Sequence, residues 1–378
     1  MSIKDSLSKF WENIQYKLFP QLQEVLGVLS PSHKKLISIL ELVRIENFVP
    51  CSKFKEGRHP QGRIAMARAY IAKIVFKFPH TKQLVEHLLI DSQLRSICGF
   101  DTSWGIPSES TFSRAFKEFS LISLPEKVHQ ALIKETYKDQ IVCHVIKDST
   151  PIEAREKHLK KEGKSKERSK KIKTQQKKNK KSGIPNRRQR QLEESDVNKM
   201  IQELPILCDK GMKKSSQGYT QIWKGYKLHA AVDDNCIPLA VIITSASLND
   251  CEVAIPLAIK SSQVATNLYD LMDAAYDHPE IKEHSISLGH VPLIDTCPKS
   301  RAQKIEKLAE KERKNHLKFK TAEDIRYGER LPKERFNALY KDFHGGRNIL
   351  YRGYSKISCH VMFGVLALAA SAIINLIQ

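Results

Sequence analysis

The sequence predicts an α/β protein in which helices cover both faces of a mixed β-sheet, preceded by an all-helical N-terminal region. Two observations lead to this fold class. Residues 1–138 contain apolar positions at helical spacing and no strand-like run. From residue 139 the order becomes three strands, a helix, a strand, a helix, a strand and then further helices. That order is typical of a layered α/β domain.

The N-terminal region is predicted to contain helices over residues 7–18, 32–43, 64–76, 81–97 and 110–119. Proline and glycine residues punctuate the last three of them. Ser108 and Thr111 stand ahead of Phe112 like the start of a helix, and Arg114 and Lys117 follow on that helix. A helix-turn-helix-like DNA reader and a plain helical packing domain both fit this pattern, which leaves the two open.

The second region, residues 139–378, is predicted to contain five strands, over residues 141–146, 219–232, 237–244, 267–272 and 291–294. The second and third strands are separated by the turn sequence Asp233-Asp234-Asn235. Helices are predicted over residues 250–262, 279–284 and 301–320. These elements together form one mixed sheet with helices on its two faces.

Most of the net charge of +21 comes from one block, Arg155–Arg190, which has 17 basic residues against three glutamates. Such a local block favours a polyanionic partner such as nucleic acid, with an anionic membrane surface as the lesser alternative. The block has few aliphatic residues, so we expect a basic insertion at about 155–216 that is disordered when free. Its lysines are expected to contact phosphates; a solvated insertion without a specific role is the alternative.

The remaining composition predicts a protein of the reducing cytoplasm. The eight cysteines are scattered, and none forms a C-x-x-C pair or a zinc-binding cluster with histidine. The N-terminus lacks the pattern of a signal peptide. Residues 357–378 carry no formal charge, but polar residues such as His360 and Asn375 interrupt them. We therefore expect a buried C-terminal helix rather than a membrane span.

The stretch Tyr327–Lys341, YGERLPKERFNALYK, predicts a helix that begins at Pro332 and stops at Gly345-Gly346. Glu334 and Lys341 are seven residues apart, so they lie within roughly 20° of each other on one helix face. The opposite face is apolar and is formed by Phe336, Leu339, Tyr340 and Phe343. Such a helix buries aromatic rings on one side and presents one carboxylate and one ammonium group on the other.

Carboxylates at strand ends, facing a helical carboxylate such as Glu334, are how an α/β sheet presents a metal site. Asp148 is predicted to end the first strand and Asp273 to end the fourth. Oxygen ligands without a cysteine or histidine cluster favour Mg²⁺ or Mn²⁺. Two such ions can activate an attacking oxygen and stabilise a leaving oxygen at phosphorus. The rival carboxylates are Asp270, Asp277, Asp295 and Glu329, of which Asp295 is the strongest because it also ends a strand.

These residues carry a resemblance to bacterial insertion-sequence transposases of the DDE superfamily, whose catalytic domain is RNase H-like. The matching segments are IKDST around Asp148, GYKLH at Gly225–His229, IPLAVIITSASLND at Ile237–Asp250 and DAAYD at Asp273–Asp277. The stretch Tyr327–Lys341 fits the Y-x2-R-x3-E-x6-K signature of one large branch at every defined position. The resemblance covers nearly the whole chain outside the basic block.

The resemblance implies that Asp148, Asp273 and Glu334 bind two divalent metal ions. It implies that Tyr327, Arg330 and Lys341 hold DNA phosphate near the cut. Relatives that process ends through a DNA hairpin carry a β-rich insertion with a tryptophan before the glutamate helix. Here that interval, residues 298–331, is short, charged and without tryptophan, which puts a hairpin route in doubt.

The sequence therefore predicts a transposase that binds the terminal inverted repeats of its element, cleaves DNA strands and transfers them to target DNA. Double-stranded DNA is the expected partner, a homodimer is implied because two ends must be joined, and the expected location is the bacterial cytoplasm at the nucleoid. A DDE-type nuclease or an inactive derivative is one alternative. A non-enzymatic, basic nucleic-acid-binding protein is the other.

Overall fold

The computed structural model describes residues 3–50, 62–138, 140–157, 185–214, 218–296, 298 and 300–377. The chain forms two compact units. The first unit consists of Met1–Ile141, Val232–Leu239 and Pro332–Gln378. The second unit consists of Val142–Ala231 and Ala240–Leu331. The C-terminal segment packs with the N-terminal helices. The two compact units are therefore not two successive parts of the chain that meet near residue 138.

The first unit is helical, as the sequence predicts. Its N-terminal helices are α1 (Ile3–Asn13), α2 (Phe19–Leu26), α3 (Pro31–Val43), α4 (Arg63–Val75), α5 (Thr81–Ile90), α6 (Ser92–Cys98), α7 (Glu109–Leu121) and α8 (Leu124–Thr136). The predicted helix over 7–18 continues as a π-helical turn, Ile14–Leu18, into α2. The predicted helix over 81–97 is two helices, because Asp91 is extended and caps α6 by accepting from the Leu94 N–H at 2.9 Å.

The C-terminal helix, Tyr354–Asn375, is buried in this unit, as expected from its sequence. The Phe363 ring lies 5.8 Å from the Tyr70 ring of α4 and 6.2 Å from the Phe116 ring of α7, measured between ring centroids. Among the described residues, this is the one helix long and apolar enough to cross a membrane, and 83% of its most apolar window is buried in the protein. Its apolar surface therefore serves as core.

The second unit is built on a six-stranded sheet. Its strands are β1 (Ile141–Glu153), β2 (Asp209–Lys214), β3 (Thr220–Val232), β4 (Pro238–Ser245), β5 (Thr266–Met272) and β6 (Val291–Ile294). The order is β2-β3-β1-β5-β6, with β4 paired to β3. β2 and β3 are antiparallel, whereas β5 and β6 are parallel with Tyr269 opposite Val291. This mixed sheet confirms the predicted α/β class.

One prediction about β1 is wrong: the strand does not end at Asp148 but continues to Glu153. The stretch Lys147–Pro151 is polar and therefore resembles a strand end, yet Lys147, Thr150 and Ile152 are buried. Gly225 of β3 explains how the strand continues. Gly225 has φ of 145°, and a Cβ atom there would collide with the carbonyl oxygen of Ile152. The absence of a side chain at Gly225 lets β1 and β3 approach closely beyond Asp148.

The predicted insertion at 155–216 also needs correction where it is described; residues 158–184 lie outside the described residues. Helices α9 (Arg187–Glu193) and α10 (Val197–Gln202) and strand β2 all fall inside it. Arg188 Nη1 lies 2.6 Å from Glu252 Oε1, and Arg188 Nε lies 3.6 Å from Glu280 Oε2. The last arginines of the basic block therefore form ion pairs within the second unit, which the block's composition alone did not reveal.

The helices α11 (Ala254–Ser262), α12 (Pro279–Ser287), α13 (Arg301–His316) and α14 (Ala322–Tyr327) complete the second unit. The described residues of the interval 298–331 are helices and turns, without a strand. A 3₁₀ turn, Gly328–Arg330, leads to α15 (Leu331–Phe343), which begins beside Pro332 as predicted. Gly345, with φ of 83°, follows this helix, and the Gly346 N–H donates to the Tyr340 carbonyl at 3.1 Å.

Candidate active site

Asp148 and Asp273 belong to neighbouring strands of the second unit. Asp148 lies within β1, and Asp273 comes directly after β5, the strand that pairs with β1. The Ser149 N–H donates to Asp148 Oδ1 at 2.7 Å, and the Ala275 N–H donates to Asp273 Oδ1 at 3.0 Å. Both side chains are half-buried. The sheet thus brings together two of the three predicted metal-binding carboxylates.

The two carboxylates act on each other electrostatically. Burial raises the pKa of Asp273, and the negative charge of Asp148 raises it further. The hydrogen bond from Ala275 and the positive charge of Arg330 oppose this change, while Asp250 adds to it. Two acidic groups held close together at a protein surface disfavour their own ionised forms. A cation between them would remove that penalty.

Asp250 is a third carboxylate at this place, and the sequence analysis did not single it out. Lys227 Nζ donates to Asp250 Oδ1 at 2.9 Å and to the Leu248 carbonyl at 2.7 Å. His229 Nδ1 lies 3.9 Å from the same carboxylate. Lys227 and His229 come from GYKLH, and Asp250 ends IPLAVIITSASLND. Both segments carry the family resemblance, and this was the signal for Asp250 that the sequence offered. The contact of Lys227 with Asp250 shows that the two segments pack together beside Asp148 and Asp273.

Tyr276, the tyrosine of DAAYD, lies under this cluster. Its hydroxyl is fully buried and has no hydrogen-bond partner among the described residues. Burial raises its pKa well above the ordinary value, and the charges of Asp250, Asp148 and Asp273 contribute. A buried hydroxyl without a partner beside three carboxylates is an unfavourable arrangement of the kind found at functional sites.

Tyr327 and Arg330 meet at the turn that follows α14. Arg330 Nη1 donates to the Tyr327 hydroxyl at 2.6 Å, and its guanidinium group lies 5.2 Å from the centre of the Tyr327 ring. The Nε atom of Arg330 is buried and has no acceptor among the described residues. Arg330 is also close enough to Asp273 to lower its pKa. The 3₁₀ turn Gly328–Arg330 thus brings Tyr327 and Arg330 together.

The rival carboxylates have other partners. Asp270 is fully buried against Lys147, with a 2.7 Å separation of Oδ1 and Nζ. Asp277 Oδ1 accepts from Lys282 Nζ at 2.6 Å, and Asp295 Oδ1 accepts from Lys307 Nζ at 2.6 Å. Glu329 lies in the 3₁₀ turn and is exposed. A lysine already satisfies three of these four carboxylates, so Asp273 remains the preferred candidate.

Glu334 and Lys341 lie in the part of α15 that belongs to the first unit. Glu334 is exposed in the first turn of α15 and Lys341 is half-buried in its last turn. Phe336 and Tyr340 are buried on the other side, as predicted. Phe343 differs from the prediction because 45% of it is exposed at the helix end, where its ring lies 4.2 Å from Lys77 Nζ.

The sequence matches two family models. Residues 142–370, which are more than half of the chain, match the family described as Transposase DDE domain. Residues 25–118 match the family described as Transposase domain (DUF772). Comparisons with curated proteins and with solved structures gave no match. The first match covers β1 to the C-terminal helix and agrees with an RNase H-like arrangement of the sheet.

Proposed function

The chain belongs to the DDE transposase family, and from this premise we propose that it binds the terminal inverted repeats of an insertion sequence, cleaves DNA strands there and transfers them to target DNA. The observation that carries the proposal is the meeting of Asp148 and Asp273 on neighbouring strands, where burial and mutual repulsion raise the pKa of Asp273. Proteins keep such unfavourable arrangements at functional sites.

The residues at this place fit a divalent metal ion. Asp148 and Asp273 offer hard oxygen ligands, and no lysine forms an ion pair with either of them among the described residues. The partnerless hydroxyl of Tyr276 could accept or donate to water that such an ion carries. We infer that Mg²⁺ or Mn²⁺, in a pair, supplies the Lewis-acid chemistry of phosphoryl transfer here.

Glu334 is the third proposed metal ligand, and its assignment rests on the signature and on its place in α15. It is an exposed carboxylate in a first helical turn, and the rigid helix fixes where its side chain can reach. Lys341, two helical turns further on, shares its face to within roughly 20°. An ammonium group in this position suits a phosphate oxygen.

Arg330 and Tyr327 are proposed to hold the phosphate that is cut. The hydrogen bond and ring contact between them fix the plane of the guanidinium group. A guanidinium group in a fixed plane can donate two parallel hydrogen bonds to a phosphate. The buried Nε of Arg330 lacks an acceptor among the described residues, which supports an anionic partner.

The N-terminal helices are proposed to recognise the DNA ends. This part of the chain contains the second transposase match. Arg114 and Lys117 are exposed on α7, and the Trp104 side chain, 96% exposed, lies in the 3₁₀ turn Ser103–Gly105 before that helix. The connection between α6 and α7 is ten residues long, more than the three or four of a typical helix-turn-helix. We therefore propose a helical DNA-binding module other than the simplest helix-turn-helix.

We propose a homodimer as the working form, since two element ends must be joined in one complex, and the bacterial cytoplasm at the nucleoid as its place. Hairpin processing is not part of the proposal because the interval before α15 carries helices instead of a β-rich insertion. A nuclease or an inactive derivative would share the same carboxylates, and only a strand-transfer product separates it from a transposase.

The test is cleavage of a labelled duplex that contains the inverted repeats flanking the gene. The wild-type protein should cut this DNA with Mg²⁺ and not with EDTA, and then join the 3′ end to target DNA. Asp148→Ala and Asp273→Ala should abolish cutting while DNA binding persists. Asp277→Ala is the matched control, because Lys282 already neutralises that carboxylate. Full cutting by either of the first two variants would contradict the proposal.

A further inference from the structure

The first unit contains a cavity of about 600 Å³ to which the proposed function assigns no role. Three cations line it: Lys35 of α3, Lys77 just after α4 and Arg335 of α15. Its floor is apolar and includes Val75, Leu339, Leu368, Ala372 and Leu376. We call this cavity the basic groove. A volume of this size is within the range of ligand-binding pockets, roughly 300–1,000 Å³.

The positive charges of the groove are not balanced within the described part of the chain. Three cations face one lining carboxylate, Asp234, and no carboxylate there forms an ion pair with Lys35, Lys77 or Arg335. Burial lowers the pKa of Lys35, and the charge of Lys77 lowers it further. Two lysines that repel each other at the edge of a cavity provide an attractive site for an anion.

The backbone and an aromatic ring fix the position of Lys77. Lys77 adopts a left-handed conformation with φ of 58°, which is uncommon for a residue other than glycine. Its Nζ atom lies 4.2 Å from the centre of the Phe343 ring, and that ring is 45% exposed. An exposed phenylalanine thus holds the ammonium group at the rim of the groove.

A second, smaller cavity of about 50 Å³ adjoins the groove, because Lys77 and Phe343 line both. Its other lining residues include Lys341, the last residue of the signature stretch, and the buried Lys73. Lys73 Nζ donates to the Pro79 carbonyl at 3.1 Å, and burial lowers its pKa to about 8. The basic groove is therefore continuous with the surface that contains Lys341.

We propose that the basic groove binds phosphate groups of a DNA strand, with Lys35, Lys77 and Arg335 as the contacts, and that the strand continues past Lys77 to Lys341. This inference rests on the proposed function, which supplies DNA as the partner. The three cations suit the phosphates of a duplex strand, and the apolar lining residues suit the sugars between those phosphates. Within the signature stretch, Arg335 thereby becomes a DNA contact in addition to Tyr327, Arg330 and Lys341.

The test measures how the affinity for DNA depends on salt, using a fluorescent duplex of arbitrary sequence. The variant Lys35→Gln/Lys77→Asn removes both lysine charges, and asparagine tolerates the left-handed conformation of residue 77. Each lost phosphate contact should reduce the slope of log affinity against log salt by about 0.9, so the slope should change by about 2. With equal affinities at 1 M salt, this change of slope predicts a loss of affinity of roughly sixtyfold at 0.1 M salt. Arg335→Gln should change the slope by about half as much.

Lys304→Gln/Lys311→Gln is the matched control, because it removes two exposed lysines of α13, a helix of the second unit, and neither of them lines the groove. Lys35→Arg/Lys77→Arg keeps the charges and should keep the wild-type slope. The proposal is overturned if the groove variant has the wild-type slope, or if the control variant changes the slope equally. Thermal unfolding of each variant shows whether a loss of binding comes from misfolding.

The same proteins should also be assayed for Mg²⁺-dependent cleavage, which separates the two proposals. A wild-type protein that binds duplex DNA but never cuts it would contradict the proposed function. The proposal about the groove would then still be tested by the salt slopes of the wild type and the groove variant. If a groove variant cuts DNA normally and keeps the wild-type salt slope, the proposal about the groove is overturned and the proposed function is not.

Discussion

Lys147 Nζ lies 2.7 Å from Asp270 Oδ1 inside the second unit, and both side chains are excluded from solvent. The pair joins β1 and β5, one residue before Asp148 and three residues before Asp273. Burial alone would raise the pKa of Asp270, but Lys147, His290 and Ser285 hold it below its ordinary value. Asn267 Nδ2 donates to Asp270 Oδ1 at 3.0 Å and completes the polar cluster. The strands that present the two candidate ligands are thus linked by a buried ion pair.

Lys147→Met should destabilise the protein by about 3–5 kcal/mol, since it leaves the Asp270 carboxylate buried without its cation. The double variant Lys147→Met/Asp270→Leu should be more stable than the sum of the two single changes, because no lone buried charge remains. Urea unfolding of the two single variants and the double variant gives the coupling. Strictly additive losses would show that the pair contributes no net interaction.

Asp273→Asn should stabilise the metal-free protein at neutral pH. The raised pKa of Asp273 means that its ionised form is disfavoured in the folded state, so this contribution to stability decreases as pH rises through that pKa. Asparagine removes the repulsion from Asp148 and can still accept from the Ala275 N–H.

Thermal unfolding in EDTA and in Mg²⁺ checks this prediction. Mg²⁺ should raise the midpoint of the wild-type protein and should have less effect on Asp273→Asn. If the variant is less stable than the wild type in EDTA, Asp273 stabilises the folded protein, which contradicts the prediction.

Stability should decrease as pH falls from about 6.5 to 4, and His360 should account for part of this. Burial and, to a smaller extent, the charge of Lys73 lower the pKa of His360 to about 3, although a hydrogen bond from Nε2 to the Gly345 carbonyl, 3.1 Å long, opposes the change. Below about pH 6.5 this histidine binds a proton in the unfolded chain but not in the folded chain, so protonation favours unfolding.

His360→Gln should therefore reduce the slope of unfolding free energy against pH by up to about 1.4 kcal/mol per pH unit near pH 5. Unfolding in urea across this pH range measures the slope. His316→Gln, at an exposed position of α13, is the control and should leave the slope unchanged. An identical slope in the wild type and in His360→Gln would refute the assignment.

Arg330→Lys should reduce DNA cleavage by at least about tenfold without changing the thermal midpoint. Lysine cannot donate two parallel bonds to a phosphate or pack flat on the Tyr327 ring. Tyr327→Phe should have a smaller effect, because the ring remains and only the hydroxyl acceptor at 2.6 Å is lost. Arg326→Lys is the matched control, as Arg326 also packs on a tyrosine ring, 4.7 Å from the centre of Tyr269. Equal losses in Arg330→Lys and Arg326→Lys would remove the special role of Arg330.

The strands of the second unit and the position of Asp273 could be predicted because β-branched runs and turn residues mark strand limits locally. The prediction that Asp148 ends the first strand was wrong, since β1 continues past it to Glu153. Composition alone concealed α9, because its Arg188 pairs with the distant carboxylates Glu252 and Glu280. Tertiary partners of that kind leave no periodic signal in the sequence.

Two parts of the site were beyond prediction for the same reason. Lys147 looked like the polar end of a strand, yet Asp270, with which it forms a buried ion pair, lies more than a hundred residues away. Asp250 could not be separated from an ordinary turn residue until the structure placed it against Lys227. Phe343 continued the apolar pattern of α15, but the helix ends there and its ring packs against Lys77. Local periodicity therefore predicts which face is apolar and not where burial stops.

The central proposal is that metal-dependent DNA cleavage requires Glu334 as well as Asp148 and Asp273. Single-turnover cleavage of labelled end DNA in Mg²⁺ by Glu334→Gln, beside the control Glu329→Gln from the preceding turn, tests it most directly. We predict that Glu334→Gln loses at least about a thousandfold in cleavage rate while binding the DNA normally, and that Glu329→Gln cuts like the wild type. Wild-type cleavage by Glu334→Gln would contradict the account.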